Sequence, residues 1–294
     1  MELLLAGGAP LASAAFLSGR DSGRLVLDAT SLTFACPVDL AGMVAWAHWA
    51  AEDSVPVTLK LPQSRAMASY LQRMDVLRHM PSRTQIVGRV PPDMRADHSG
   101  SLLEVTALNP SNVNDLSERI GPLVMGFYGR NTAAGSAVLR ACGELMGNAT
   151  EHGYSDRGAF MAAQLHSGRT TDGPRLEFAV CDTGVGVMQH LRGNARYSHY
   201  TQDRYAIARA MKLGVTGISD DKRGNGLSDV IEHTRQIGSV DFRIRSGKGE
   251  VHVLGTPMGH RETMTTRPDQ TSGTWAWLTH RWGPASDTVV QSGK

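Results

Sequence analysis

Three short segments follow one another in a fixed order: Glu-Leu-Met-Gly-Asn-Ala over 144–149, Asp-Thr-Gly-Val-Gly over 182–186 and Arg-Gly-Asn-Gly-Leu over 223–227. Each alone is a weak pattern, because the chain has 32 glycines among its 294 residues. Their contexts and order carry the signal. The first lies in a run of helix formers, Ala141, Leu145, Met146 and Ala149, so Glu144 and Asn148, four apart, share one helix face about one turn from each other. A carboxamide oxygen suits a hard cation such as magnesium, and a carboxylate beside it suits the alignment of a nucleophile. Read by themselves, the two side chains fit a solvated helix surface equally well.

The second segment follows the alternation of Leu176, Phe178 and Val180, which predicts a strand ending at Asp182. There a carboxylate can accept a hydrogen bond from an exocyclic amine such as that of adenine, and Gly184 and Gly186 let the backbone pass close to a flat base. The plain alternative is a glycine turn after a strand. The third segment opens a predicted helix, Leu227 to Gln236, with Val230, Ile231 and Thr234 at helical spacing. Glycines at a helix start expose amides and the positive dipole end, a cradle for phosphate.

Together these segments resemble the GHKL superfamily of ATP-binding proteins, which includes DNA gyrase, the ninety-kilodalton heat-shock chaperones, mismatch-repair ATPases, histidine kinases and anti-sigma-factor serine kinases. The resemblance covers about two thirds of the chain, Leu102 to Trp282, and Glu-Leu-Met-Gly-Asn-Ala-Thr-Glu-His-Gly-Tyr over 144–154 is closest to the anti-sigma serine kinases. It implies Glu144 as general base, Asn148 as magnesium ligand, and Asp182 as the carboxylate that reads adenine, with Gly184 and Gly186 as pocket floor. It further implies Arg223, Gly224 and Gly226 on the phosphate side, and Gly273-Thr274, at the start of the last strand, beside the base. ATP and magnesium are the implied cofactors. The stretch 187–222 stands where the family keeps a mobile lid, and its Arg192, Arg196 and Arg204 either reach a triphosphate or are solvated surface. His152 lacks a second histidine at zinc-ligand spacing and reads as a helix-end residue.

The N-terminal third alternates differently. Leu25 to Phe34 reads as a strand, Val38 to Glu52 as an apolar helix, Val55 to Leu61 as a strand and Ser64 to Leu77 as an amphipathic helix, the pattern of an α/β unit with parallel pairing. The layout resembles a STAS domain, the anti-anti-sigma fold. Where STAS regulators carry a phosphorylated serine, this chain has Cys36-Pro37-Val38-Asp39, and Ser31 and Thr33 fall on alternating positions of the predicted strand. The resemblance therefore implies a docking or packing module that takes no phosphate. Arg83 to Gly100, with Pro91 and Pro92, reads as linking sequence. The expected organisation is a STAS-like domain over 1–90, a linker over 91–101, a GHKL α/β sandwich of helices on a mixed, largely antiparallel sheet over 102–282, and a tail over 283–294. A linker of this kind predicts that the halves can be separated near Pro91 with nucleotide binding retained.

A net charge of +2 with scattered basic residues gives no nucleic-acid footprint. Cys36, Cys142 and Cys181 show no CxxC spacing and read as buried thiols of a cytoplasmic protein. The apolar start, 1–16, lacks a basic n-region, carries Glu2 and is broken by Gly7, Gly8 and Pro10, so a leading strand is expected in place of a signal peptide, and no membrane span is expected. A histidine kinase would need a helical hairpin bearing an acceptor histidine, and Trp49-Ala50-Ala51 after His48 does not supply its acid and proline. Three classes remain open: an ATP-dependent serine kinase or anti-sigma-like switch acting on a protein partner, an ATPase that moves without a phosphoacceptor, and a non-catalytic ATP-binding scaffold. A homodimer is left open as well.

Overall fold

The computed structural model describes residues 2–4, 23–93, 98, 100–129, 131–151, 158–168, 173–212, 214–215 and 226–282. They form a mixed α/β molecule with two sheets. The first sheet is parallel, in the order β1 (Glu2–Leu4), β2 (Leu25–Asp28), β3 (Val57–Lys60), β4 (Gln85–Val87). Two details differ from the sequence reading. β2 stops at Asp28 because its Oδ1 turns to accept both the N–H and the hydroxyl of Thr30, so Ser31 and Thr33 lie in an exposed loop and not in a strand. Within the stretch read as linking sequence, β4 is a strand paired with β3.

Helix α1 (Pro37–Glu52) has no polar side: its apolar residues surround the axis, which predicts burial on every face. Proline at its first position suits a helix start, and the Asp39 carboxylate takes back both the N–H and the thiol of Cys36. One side of α1 packs on Leu25, Leu27 and Leu59 of the parallel sheet. The other meets Phe160, Ala162, Ala179, Cys181, Trp275 and Trp277 of the second sheet, all in one continuous core. The predicted helix over 64–77 is broken into α2 (Arg65–Arg73) and α3 (Val76–His79) by Asp75, which sits in the left-handed region at φ +58. This segment also touches the second sheet, through the Tyr70 hydroxyl donating to Gln164 at 2.7 Å and an ion pair of Arg73 with Glu104.

The second sheet runs β5 (Leu102–Leu108), β6 (Ala159–His166), β7 (Arg175–Asp182), β9 (Gly259–Arg281), β8 (Ser239–Thr256). It was expected to be mixed and largely antiparallel; every described pairing is antiparallel. Its other face carries α4 (Val113–Tyr128), α5 (Thr132–Glu151) and α8 (Gly226–Arg235) on a core that includes Met161, Phe178, Val180, Phe242, Ile244 and Leu278. A parallel layer, α1, an antiparallel layer and a helix layer therefore stack in that order.

The β8–β9 hairpin gave no sequence signal beyond its last residues. Gly273-Thr274, read as the start of the last strand, lies deep inside β9. β8 is also not straight: His252 meets Asp241 at 2.9 Å, eleven positions away in the same strand, where a straight strand would hold them about 36 Å apart. The fold-back falls where the ladder shifts register between Ser246 and Gly249. Gly247 is there at φ +58, with the Asp203 carboxylate filling the space of its missing side chain. Arg245, fully buried, pairs with Asp269 at 2.7 Å beside this corner.

The expected polar lid differs in character over its described part. α6 (Val187–Arg192), a 3-10 turn (Ala195–Tyr197) and α7 (Asp203–Ala210) enclose a small core of Leu191, Tyr197, Ala206 and Val215.

Candidate functional site

β7 alternates strictly. Leu176, Phe178 and Val180 enter the helix-side core, while Ala179 and Cys181 face α1. Asp182 keeps the first parity, so its carboxylate points to the layer that holds α5. It is buried, and its Oδ1 accepts the N–H of Gly184 at 2.8 Å and of Thr274 at 3.1 Å. Oδ2 engages no donor among the described residues. Burial pushes the carboxyl up to about 7, opposed by those two hydrogen bonds.

Glycine is required at two positions around this carboxylate. Gly273, at φ +68, lies so close that a side chain would be driven into the Asp182 carbonyl and Oδ1. Gly186, at φ +78, faces Ser246 Oγ, 2.7 Å from where a Cβ would stand. That hydroxyl accepts the N–H of Val187 at 2.9 Å and donates to the Gly273 carbonyl at 2.8 Å, tying the 182–187 loop to β9. Ser246 was invisible in the sequence, since nothing marked its strand.

α5 starts where Asn131 Oδ1 accepts the N–H of Ala134, and it carries Glu144 and Asn148 half-buried on one face. Burial raises the Glu144 carboxyl above its ordinary value. The Asp229 charge on α8 adds to that and Arg140 opposes it. Asp229 stands in the first turn of α8, so Glu144 faces the start of the helix that follows the third sequence segment. Asn148 Nδ2 is sealed from water and has no hydrogen-bond acceptor among the described residues. A buried, unpaired amide in an ordered helix is costly, and a ligand oxygen would relieve it. Gly226 is the first residue of α8; Arg223, Gly224, His152 and the tail over 283–294 lie outside the described residues.

The sequence-predicted residues thus fall into two groups. Asp182, Gly184 and Thr274 meet through hydrogen bonds across about ninety positions of sequence, and Gly186 packs beside them against Ser246 and Gly273. Glu144, which shares a face of α5 with Asn148, meets the start of α8. α5 packs on β7, on the face to which Asp182 points. A cleft of about 890 Å³ runs along the glycine side of the first group. Its lining includes Gly184, Gly186, Gln189, Asp203, Lys248 and, from the last turn of α1, Glu52, but not Asp182, Glu144 or Asn148. Among the described residues no three His, Cys, Asp or Glu side chains are grouped to hold a metal. A magnesium ion at Asn148 would therefore complete its shell with phosphate oxygens and water, its usual manner. The three cysteines are free and buried, and burial pushes the thiols of Cys36, Cys142 and Cys181 up. Among the described residues no helix is long and apolar enough to cross a membrane.

Comparison with protein-family models gives no match to this chain, and comparison with the curated proteins gives none either.

Proposed function

We propose that this chain is a cytoplasmic magnesium-ATP-binding regulatory protein of the histidine kinase-like ATPase type, with a STAS-like unit before a GHKL-like one, that acts as an anti-sigma-like serine kinase or partner switch. The observation that carries the reading is Asp182: a buried carboxylate whose Oδ1 is held by two backbone N–H groups, leaving Oδ2 free to accept from a base's exocyclic amine. The close approach at Gly273 and Gly186 leaves no room for a side chain at either position, so the backbone beside Asp182 stays bare.

The nucleotide and its metal, when bound, would supply the transferable phosphoryl group. Asn148 holds a carboxamide ready to ligate and to donate to a phosphate oxygen. Glu144, with its proton affinity raised by burial and by Asp229, is tuned toward accepting a proton from a hydroxyl nucleophile. Gly226 begins α8, whose first turn carries the Asp229 that acts on Glu144, and the free amides of that helix start would suit a phosphate.

Incubation with γ-labelled ATP and magnesium tests the reading and sorts its forms. Label on a protein means kinase action, label in free phosphate means a hydrolysing switch, and bound but unconverted ATP means a scaffold. Recovery of all label in unbound ATP would reject all three.

A further inference from the structure

The stretch 187–212 carries five basic side chains, Arg192, Arg196, Arg204, Arg209 and Lys212, against one acidic residue, Asp203. Two of these six are already committed. Asp203 accepts the N–H of Lys248 and fills the corner at Gly247, and Lys212 pairs with Glu262 at 3.3 Å. The four arginines make no ion pair among the described residues. Some arginines elsewhere are paired with carboxylates, as Arg73 with Glu104, Arg175 with Glu177 and Arg245 with Asp269.

Their guanidinium groups are nonetheless held in place. Arg196 and Arg209 lie over the same Tyr197 ring, at 5.9 and 5.5 Å from its centre. Arg192 donates through Nε to the carbonyl of Tyr200 at 2.9 Å, and Arg204 stacks on Tyr205 at 4.7 Å. A guanidinium fixed by a ring or a carbonyl keeps its remaining N–H edge outward with less rotamer freedom to lose on binding.

We infer that the α6–α7 surface docks an acidic peptide segment of a protein partner, with Arg192, Arg196 and Arg209 as its carboxylate-reading residues. Paired N–H edges match carboxylates in the bidentate manner. Single-stranded nucleic acid fits less well, because it needs open aromatic faces for base stacking. Tyr197 is buried under its two arginines, and Arg204 takes one face of the exposed Tyr205. The inference names the chemistry of the partner in the proposed switch, but the surface needs nothing from the nucleotide site.

The test uses the full chain without nucleotide at physiological salt, with a fluorescein-labelled twelve-residue Asp/Glu peptide as probe and fluorescence anisotropy as readout. Saturable binding is expected, weakened about tenfold or more in Arg192→Glu/Arg196→Glu and less in Arg192→Gln/Arg196→Gln. Both pairs are exposed, so melting curves should match wild type. Arg83→Glu/Arg89→Glu, an equal charge change at exposed positions flanking the edge strand β4, should leave binding intact. No binding to wild type, or equal loss in the Arg83/Arg89 variant, would overturn the docking surface. Tighter binding of a labelled oligo-dT through the same arginines would overturn the choice of partner. Competition by ATP alone, lost in Arg192→Gln/Arg196→Gln, would assign the arginines to a triphosphate instead.

Discussion

Gly42 of α1 lies directly against the indole of Trp275 on β9: a Cβ built on it would stand 2.7 Å from Cζ3 and 2.8 Å from Cη2 of the ring. Trp275 is fully buried and meets Trp46 edge-on at 6.5 Å, so the ring has nowhere to retreat. Gly42→Val should therefore force α1 away from the second sheet at a cost of about 1–3 kcal/mol, seen as a lowered melting temperature. Gly126→Ala in α4, where nothing lies within 4 Å of the new methyl, should leave stability unchanged or raise it by up to about 1 kcal/mol. Equal melting of the Gly42 variant and wild type would contradict this packing.

The same contact bears on separability. A chain of residues 102–294 would expose Phe160, Ala162, Ala179, Trp275 and Trp277, which α1 and its sheet now cover. Apolar areas of that size are rarely left open on monomers. The expected outcome is aggregation or strong binding of a hydrophobic dye. A monodisperse fragment that melts like the whole chain would show that the halves are independent, as the prolines at 91 and 92 had led us to expect.

Two buried groups should give opposed pH dependences. Burial lowers His280 from 6.5 to about 4, its Nε2–H donating to the Thr234 carbonyl and its Nδ1 accepting from Tyr128. The unfolded chain binds the extra proton between those values, so this group removes about 3 kcal/mol as pH falls from 6.5 to 4. Asp182, raised from 3.8 to about 7, does the reverse: the native state holds the extra proton, and stability falls by roughly 4 kcal/mol as pH rises across that window. Asp182→Asn keeps the Oδ1 acceptor and cannot ionise. Its melting temperature should overtake that of wild type increasingly from pH 4 to pH 7, then run parallel. A constant difference over that range would show that Asp182 is not the raised group.

Legibility differed by element. α1, α5, α8 and β7 were readable because each carries a full apolar period or a motif at its end, and the parity of β7 placed Asp182 correctly at a strand terminus. The β8–β9 hairpin was missed because its corner rests on long-range partners. Gly247 and Gly249 read as ordinary loop glycines until Asp203 and Arg204 are seen beside them. Buried charge hid β9 as well, since Arg267 and Asp269 look like solvated surface and instead form a network with Arg245 and Glu250. Ser246, which locks the 182–187 loop, had no signal for the same reason. Conversely, α1 gave the right helix but not its role, because an apolar helix does not announce how many sheets it covers.

On α5 the two polar side chains should separate by chemistry. Glu144→Gln is expected to retain magnesium-ATP but lose about 10²- to 10⁴-fold in phosphate release or transfer, the usual cost of a positioned base. Asn148→Ala should lose magnesium-dependent affinity, while also removing the buried unpaired amide and so melting no lower than wild type. Turnover at the wild-type rate in the Glu144 variant would remove that carboxylate from the mechanism.

The most direct measurement is isothermal titration of the full chain with ATP, in magnesium and in EDTA, beside Asp182→Asn at pH 8. The expected result is one saturable site in wild type, weaker in EDTA, with affinity reduced at least about tenfold in the variant because its amide meets the base's amine with a donor. Wild type that takes up no ATP at millimolar concentration, or an Asp182 variant that binds as well as wild type, would contradict the nucleotide site.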